Sequence, residues 1–205
     1  MKRILLFLIM VIFLSGCATI QLPELTVKPA SQYRLSQNKE GLVISVDPFL
    51  EKKRVEELFG TDLLSKGILP VLVVVENNSN SSTFYLQKEQ SSLEMAEGES
   101  ETGIASAGRS LTYQRPDKAT TTLFYVSPLI VAGIWQSFEN EREAITKNMI
   151  KNELRERTLN PGESQHGLIY FRLTDKTRVE DIAAVNLKVL NIQSKENILF
   201  SFTVE

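Results

Sequence analysis

The chain holds one cysteine, one histidine and one tryptophan among 205 residues. A single cysteine cannot close an intrachain disulfide, and one thiol with one imidazole cannot build a Cys/His metal site. Any Ser-His-Asp arrangement would have to use that one histidine, His166, and no G-x-S-x-G nucleophile elbow accompanies it. The glycines at Gly98, Gly103 and Gly108 lack the spacing and the lysine of a phosphate loop or dinucleotide fingerprint. Basic residues do not predominate either: 23 Lys and Arg face 25 Asp and Glu, a formal charge of −2. Nucleic-acid binding, which needs a positive surface to displace counterions, is not expected. No apolar run reaches the length of about 20 residues that a membrane-crossing helix requires.

What is present begins at the N-terminus. Lys2 and Arg3 precede an apolar stretch from Ile4 to Leu14, and Ser15-Gly16 then supplies small side chains. Charge, short apolar core and small residues in that order are the layout of a secretory signal, predicted here over residues 1–16. The lone cysteine follows at once. Leu14-Ser15-Gly16-Cys17 resembles the lipobox of bacterial lipoproteins. That resemblance implies cleavage before Cys17, a diacylglyceryl group on its sulfur and acylation of the new amine. Two or more acyl chains make such an anchor stable, since each buried CH₂ contributes about 0.8 kcal/mol. By the same resemblance, Ala18 in place of an aspartate favours the outer membrane. Loss of Lys2 and Arg3 with the signal leaves 21 basic against 25 acidic side chains.

Residues 17–40 read as a lipidated N-terminus and tether, polar, interrupted by Pro23 and Pro29, and without a sustained period. A single folded domain is predicted over 41–205. Leu42 to Val46 is short and β-branched, a first strand. Asp47-Pro48 reads as an N-cap and first helical residue, so a short amphipathic helix is expected near 49–59, with Val55, Leu58 and Phe59 on one face. Ile68 to Glu76 is almost unbroken apolar sequence, which predicts a strand buried on both faces. The Asn/Ser run 77–82 favours a turn, and with Thr83 to Gln87 predicts a hairpin over 68–87. Asn77 and Asn80 each open an N-x-S sequon, which we read as turn chemistry. Residues 91–108 read as a long loop, in which Glu97, Glu99 and Glu101 lack the ligand ladder of a calcium loop. Strands are expected at 109–113 and 120–126.

Residues 123–138 carry no charge. The run is too short to span a bilayer and is broken at Ser127-Pro128, so it divides into a strand end and a helix start. A long helix near 128–157 follows, with Ile134, Phe138, Ile145, Met149 and Leu154 as its stripe and Glu143–Lys147 and Glu153–Arg157 as i, i+4 pairs. Packed on a sheet it is a clamp; lying on a bilayer it is a membrane sensor. Beyond a turn at Asn160-Pro161-Gly162, strands are expected at 167–173, 185–192 and 198–204, with His166 in a turn from Gly162 to Gly167 and Phe200 and Phe202 on the core side of the last strand.

The runs ILPVLVVVENNS and NPGESQHGLIYFRL resemble the Ig-like β-sandwich modules of small bacterial envelope lipoproteins. The resemblance implies a mainly β, Ig-like antiparallel sandwich; the short helix near 49–59 is read from the residues, and the long helix near 128–157 departs from a minimal sandwich as an insertion before the late strand. It carries over no catalytic, cofactor-binding or metal-ligating residue; Cys17, as lipidation site, is the one site residue expected. The function expected is non-enzymatic: a lipid-anchored envelope protein, on the periplasmic face of the outer membrane, that binds or scaffolds. Its expected partners are membrane lipid through acylated Cys17 and an envelope protein. A membrane-surface-active protein using the 128–157 helix and an envelope hydrolase built on His166 are the alternatives.

Overall fold

The computed structural model describes residues 22–96, 100–101, 142–174 and 177–204. The expected strands at 109–113 and 120–126 and the first half of the long helix lie outside these residues, as does Cys17.

The protein is mainly β, with two antiparallel sheets. The first contains β1 (Leu35–Lys39), β2 (Leu42–Pro48), β3 (Ile68–Asn77) and β8 (Ser164–Arg172), in the order β1-β2-β3-β8. The second is built around β9 (Ile182–Asn191). On one edge β9 pairs with β10 (Asn197–Thr203); on the other it pairs with β4 (Phe84–Leu86) near one end and β5 (Ser92–Met95) near the other. The short strands β6 (Ser100–Glu101) and β7 (Thr158–Leu159) extend that edge.

Strand β3 is apolar from Ile68 to Val75 because both of its faces are covered. Leu69, Val71, Val73 and Val75 point to the space between the sheets, where they meet Phe84, Leu93, Val185, Leu187, Phe200 and Phe202 of the second sheet. Ile68, Leu72 and Val74, out of phase by one residue, point the other way. There they are covered by α1 (Lys52–Phe59), through Val55, Leu58 and Phe59, and by α2 (helical over 142–152), through Ile145 and Met149. The segment before β1 completes this cover with Leu25, Val27, Ala30 and Tyr33. Pro70 is tolerated in a central strand because its carbonyl side faces Phe49, whose N–H it accepts at 2.9 Å, at the point where β2 ends.

The N-terminal segment is therefore part of the body, where the sequence suggested a free tether up to residue 40. Ala30 donates its N–H to Glu76 Oε1 at 2.9 Å and accepts from buried Ser45 Oγ at 2.5 Å. Ser45 Oγ also bonds Ser36 Oγ at 2.9 Å, tying the turn at Ala30–Gln32 to β1 and β2 together. Glu40 and Gly41, both with positive φ (54° and 82°), make the tight turn between those strands. A Cβ on Gly41 would stand 2.8 Å from the Ser79 backbone.

Four further expectations are corrected. Asp47 does not cap α1, whose N-cap is Glu51; its carboxylate instead takes both Arg54 Nη groups, at 2.8 and 2.5 Å, while Arg54 lies 3.9 Å over the Phe49 ring. Strands β3 and β4 are not a hairpin, because the Asn/Ser run carries the chain from one sheet to the other. The stretch 91–108 is not loop throughout, since it contains β5 and β6. Finally, α2 ends before Glu153: Glu153 bridges Leu168 in parallel fashion, and Leu154 N–H donates to Leu168 C=O at 2.9 Å. Ile145, Met149 and Leu154 are buried as expected, but Leu154 reaches the inter-sheet core as extended chain.

The sheet-to-sheet crossing rests on Asn77, which is fully buried. Its Nδ2 donates to Ser82 C=O (2.8 Å) and Leu159 C=O (3.1 Å), and its Oδ1 accepts from Ser79 N–H (3.0 Å) and Ser79 O–H (2.7 Å). All four valences of the carboxamide are satisfied. Asn77→Ala should therefore lower stability by about 2–4 kcal/mol, by stranding buried polar groups, whereas exposed Asn80→Ala should stay within about 0.5 kcal/mol; denaturant midpoints at constant slope distinguish them.

Gly167 plays a comparable part at the end of α2. A Cβ there would fall 2.5 Å from Leu154 Cα and 2.7 Å from Leu154 N, so only glycine lets the chain cross β8 so closely. Gly167→Ala should cost about 1–3 kcal/mol and loosen the amides of 153–154, read by hydrogen exchange.

Candidate functional site

One cleft stands out on the described surface, an open cavity of about 400 Å³ where the end of α2, the extended chain after it and the start of β8 meet the N-terminal segment. Leu25, Lys151, Arg155, Arg157, Gln165 and His166 line it, with Glu153, Ser164 and Gly167. Three of these side chains carry positive charge against one carboxylate, on a protein whose formal charge is −2.

The local structure explains the concentration. Because α2 stops at 152, Arg155 and Arg157 lie beyond the helix, and both line the cleft. A helix continuing to 157 would have set them roughly 200° apart. The expected Glu153–Arg157 pair does not form. Glu153 instead meets Lys88 Nζ at 2.9 Å, with both side chains largely buried (23 % and 14 % exposed), and Arg157 Nη2 donates to Ser164 C=O at 2.7 Å. Glu143–Lys147 forms as expected, at 2.7 Å.

Lys151 is held by Glu24 at 2.8 Å on the exposed rim, and its hydrogen bond and charge hold the Glu24 carboxyl below the usual range. Arg155 makes no hydrogen bond or ion pair among the described residues. Gln165 Nε2 is a buried donor with no acceptor among the described residues. Beneath the cleft, Tyr170 O–H donates to Met149 C=O at 3.0 Å and satisfies one of the open carbonyls at the end of α2. Burial pushes its hydroxyl far above the ordinary tyrosine range, so it is a neutral structural donor.

His166 is in strand β8, opposite Val74, and not in a turn. It is exposed at the cleft rim and has no hydrogen-bond partner among the described residues, so no carboxylate orients it as a base. Ser36 and Lys39 are spaced as a Ser/Lys catalytic pair, but on β1 they face opposite sides: Ser36 joins Ser45, and Lys39 donates to Leu199 C=O at 2.6 Å. Sequence reasoning missed the basic cleft because it extended α2 by five residues; the alternation R-E-R at 155–157 was the available signal.

The two ion pairs beside the cleft should respond differently to truncation. Glu153→Ala leaves the half-buried Lys88 unpaired and should cost about 1.5–3 kcal/mol, whereas breaking the exposed Lys151–Glu24 pair should lower the melting temperature less. Thermal melts of the single variants check this order. Comparison of the chain with protein-family models, curated proteins and solved structures gives no match, so these side chains and the N-terminal signature are the guides to its function.

Proposed function

We propose that the chain is a lipid-anchored protein of the bacterial cell envelope whose domain, an Ig-like β-sandwich with helices added on one side, binds or scaffolds without catalysis. The observation that carries this reading is the run Leu14-Ser15-Gly16-Cys17 behind a short apolar segment that opens with Lys2 and Arg3. A thioether at Cys17 uses the one thiol of the chain, and its acyl chains supply a membrane anchor. The mature protein sits on the periplasmic face of the outer membrane in this reading, and its partners are membrane lipid and an envelope protein.

The arrangement of the body is compatible with such a role. Two sheets share one apolar core, and α2 buries Ile145 and Met149 against the first sheet, as a clamp does. The burial of those two residues favours the clamp over the membrane-lying helix for the described part of α2. His166 is exposed and has no hydrogen-bond partner among the described residues, an observation that lends the hydrolase alternative no support.

Cys17→Ser should abolish incorporation of a palmitate analogue and leave uncleaved precursor, both read on one labelled gel. Label retained on the serine variant would remove the anchor and the localisation with it.

A further inference from the structure

The basic cleft and the predicted anchor belong to the same region of the molecule. Cys17 stands five residues before Leu22, so its Cα lies within about 18 Å of Leu22 even when the chain is fully extended. From Leu22 onward the chain is fixed: Leu25 lines the cleft, and Glu24 pairs with Lys151 on its rim. A lipid inserted at Cys17 therefore brings this region close to the membrane surface.

The chemistry of the region suits that surface. Lys151, Arg155 and Arg157 give positive charge that the body as a whole does not have. Of these, Lys151 is already paired with Glu24, Arg157 keeps donors beyond the one given to Ser164, and Arg155 has no partner among the described residues. The one carboxylate of the lining, Glu153, is occupied by Lys88. Beside these donors, Leu25 gives the cleft wall an apolar surface. Guanidinium groups with an apolar fringe match a phosphate headgroup with its glycerol and acyl shoulder.

We propose that this cleft takes the phosphate of an anionic membrane lipid, so that the α2 end and N-terminal segment are held against the bilayer that Cys17 enters. The proposal rests on the lipid-anchor reading and adds an orientation to it. Arg155 and Arg157 receive the phosphate oxygens, and Leu25 meets the headgroup boundary.

The test uses the full acylated chain in vesicles of phosphatidylcholine alone and in vesicles that also contain phosphatidylglycerol. Mass analysis of the N-terminal peptide reads acylation, and deuterium uptake over 151–157 and 164–167 reads the cleft. Slower uptake in both segments on the anionic vesicles is expected, with the slowing reduced on the order of fivefold in Arg155→Gln, the weight of one basic side chain at an anionic surface. Arg155 holds no structural bond among the described residues, so this variant should melt with the wild type; Lys151→Gln, on the exposed rim, provides a second variant with the same expected direction. Equal uptake on both vesicles from a chain whose peptide carries the acyl groups overturns the headgroup contact and leaves the anchor standing. An unacylated Cys17 peptide overturns the anchor and the orientation built on it. Equal slowing by inorganic phosphate, added to the chain in neutral detergent micelles, assigns the cleft to a soluble anion and overturns the lipid assignment.

Discussion

A strand with no wet side has to be covered twice, and the arrangement of the chain around β3 follows from that requirement. Its alternate side chains enter two separate apolar clusters, one between the sheets and one beneath the helices. Exposing either set would lose roughly 25 cal/mol for each Å² of apolar surface returned to water. The second sheet answers the first need. The second is met by three unrelated pieces: α1, the described turns of α2, and the extended segment from Leu25 to Tyr33. Each is too short to be stable alone, and each gains its order from the strand it covers.

The parts legible in the sequence are those where one physical signal dominates. The apolar run of β3, the Val55/Leu58/Phe59 face of α1 and the alternation of β10 all appear where periodicity placed them. The segment 22–34 was not legible because its order comes from contacts of Ala30 with Ser45 and Glu76, residues distant in sequence. The end of α2 was hidden for a related reason. Residues 153–157 have good helical composition, yet the backbone of β8 at Leu168 and the absence of a side chain at Gly167 draw them into an extended path. Tertiary hydrogen bonding overrode local propensity there. The Asn/Ser run was correctly read as a turn but not as a crossing between sheets, since turn chemistry is the same in both cases.

The candidate site was less legible than the fold, because it depends on that helix end. Read as helix, Arg155 and Arg157 belong to different faces of a solvated surface; beyond the true helix end, both line one cleft. Cys17 is different in kind, since its reading comes from its neighbours in sequence and needs no fold at all. The free edges of the sheets are also managed by side chains: Lys39 and Gln37 of β1 donate to carbonyls of Leu199 and Ser201 on β10, and Arg157 covers the carbonyl of Ser164 on β8. Exposed strand edges invite pairing with other chains, and lysine and arginine at those positions discourage it.

The fixing of residues 22–34 has a mechanical meaning. Tension applied ahead of Leu22 does not arrive first at the ladder between β1 and β2. It meets the Glu24–Lys151 pair, then the apolar contacts of Leu25 and Val27, and then the paired hydrogen bonds of Ala30 to the middle of the first sheet. The segment is a strain relief, of the kind that keeps a pulled cable from loading its joint. A pull on the N-terminal side of Leu22 would thus load these contacts before the sheet that carries the core.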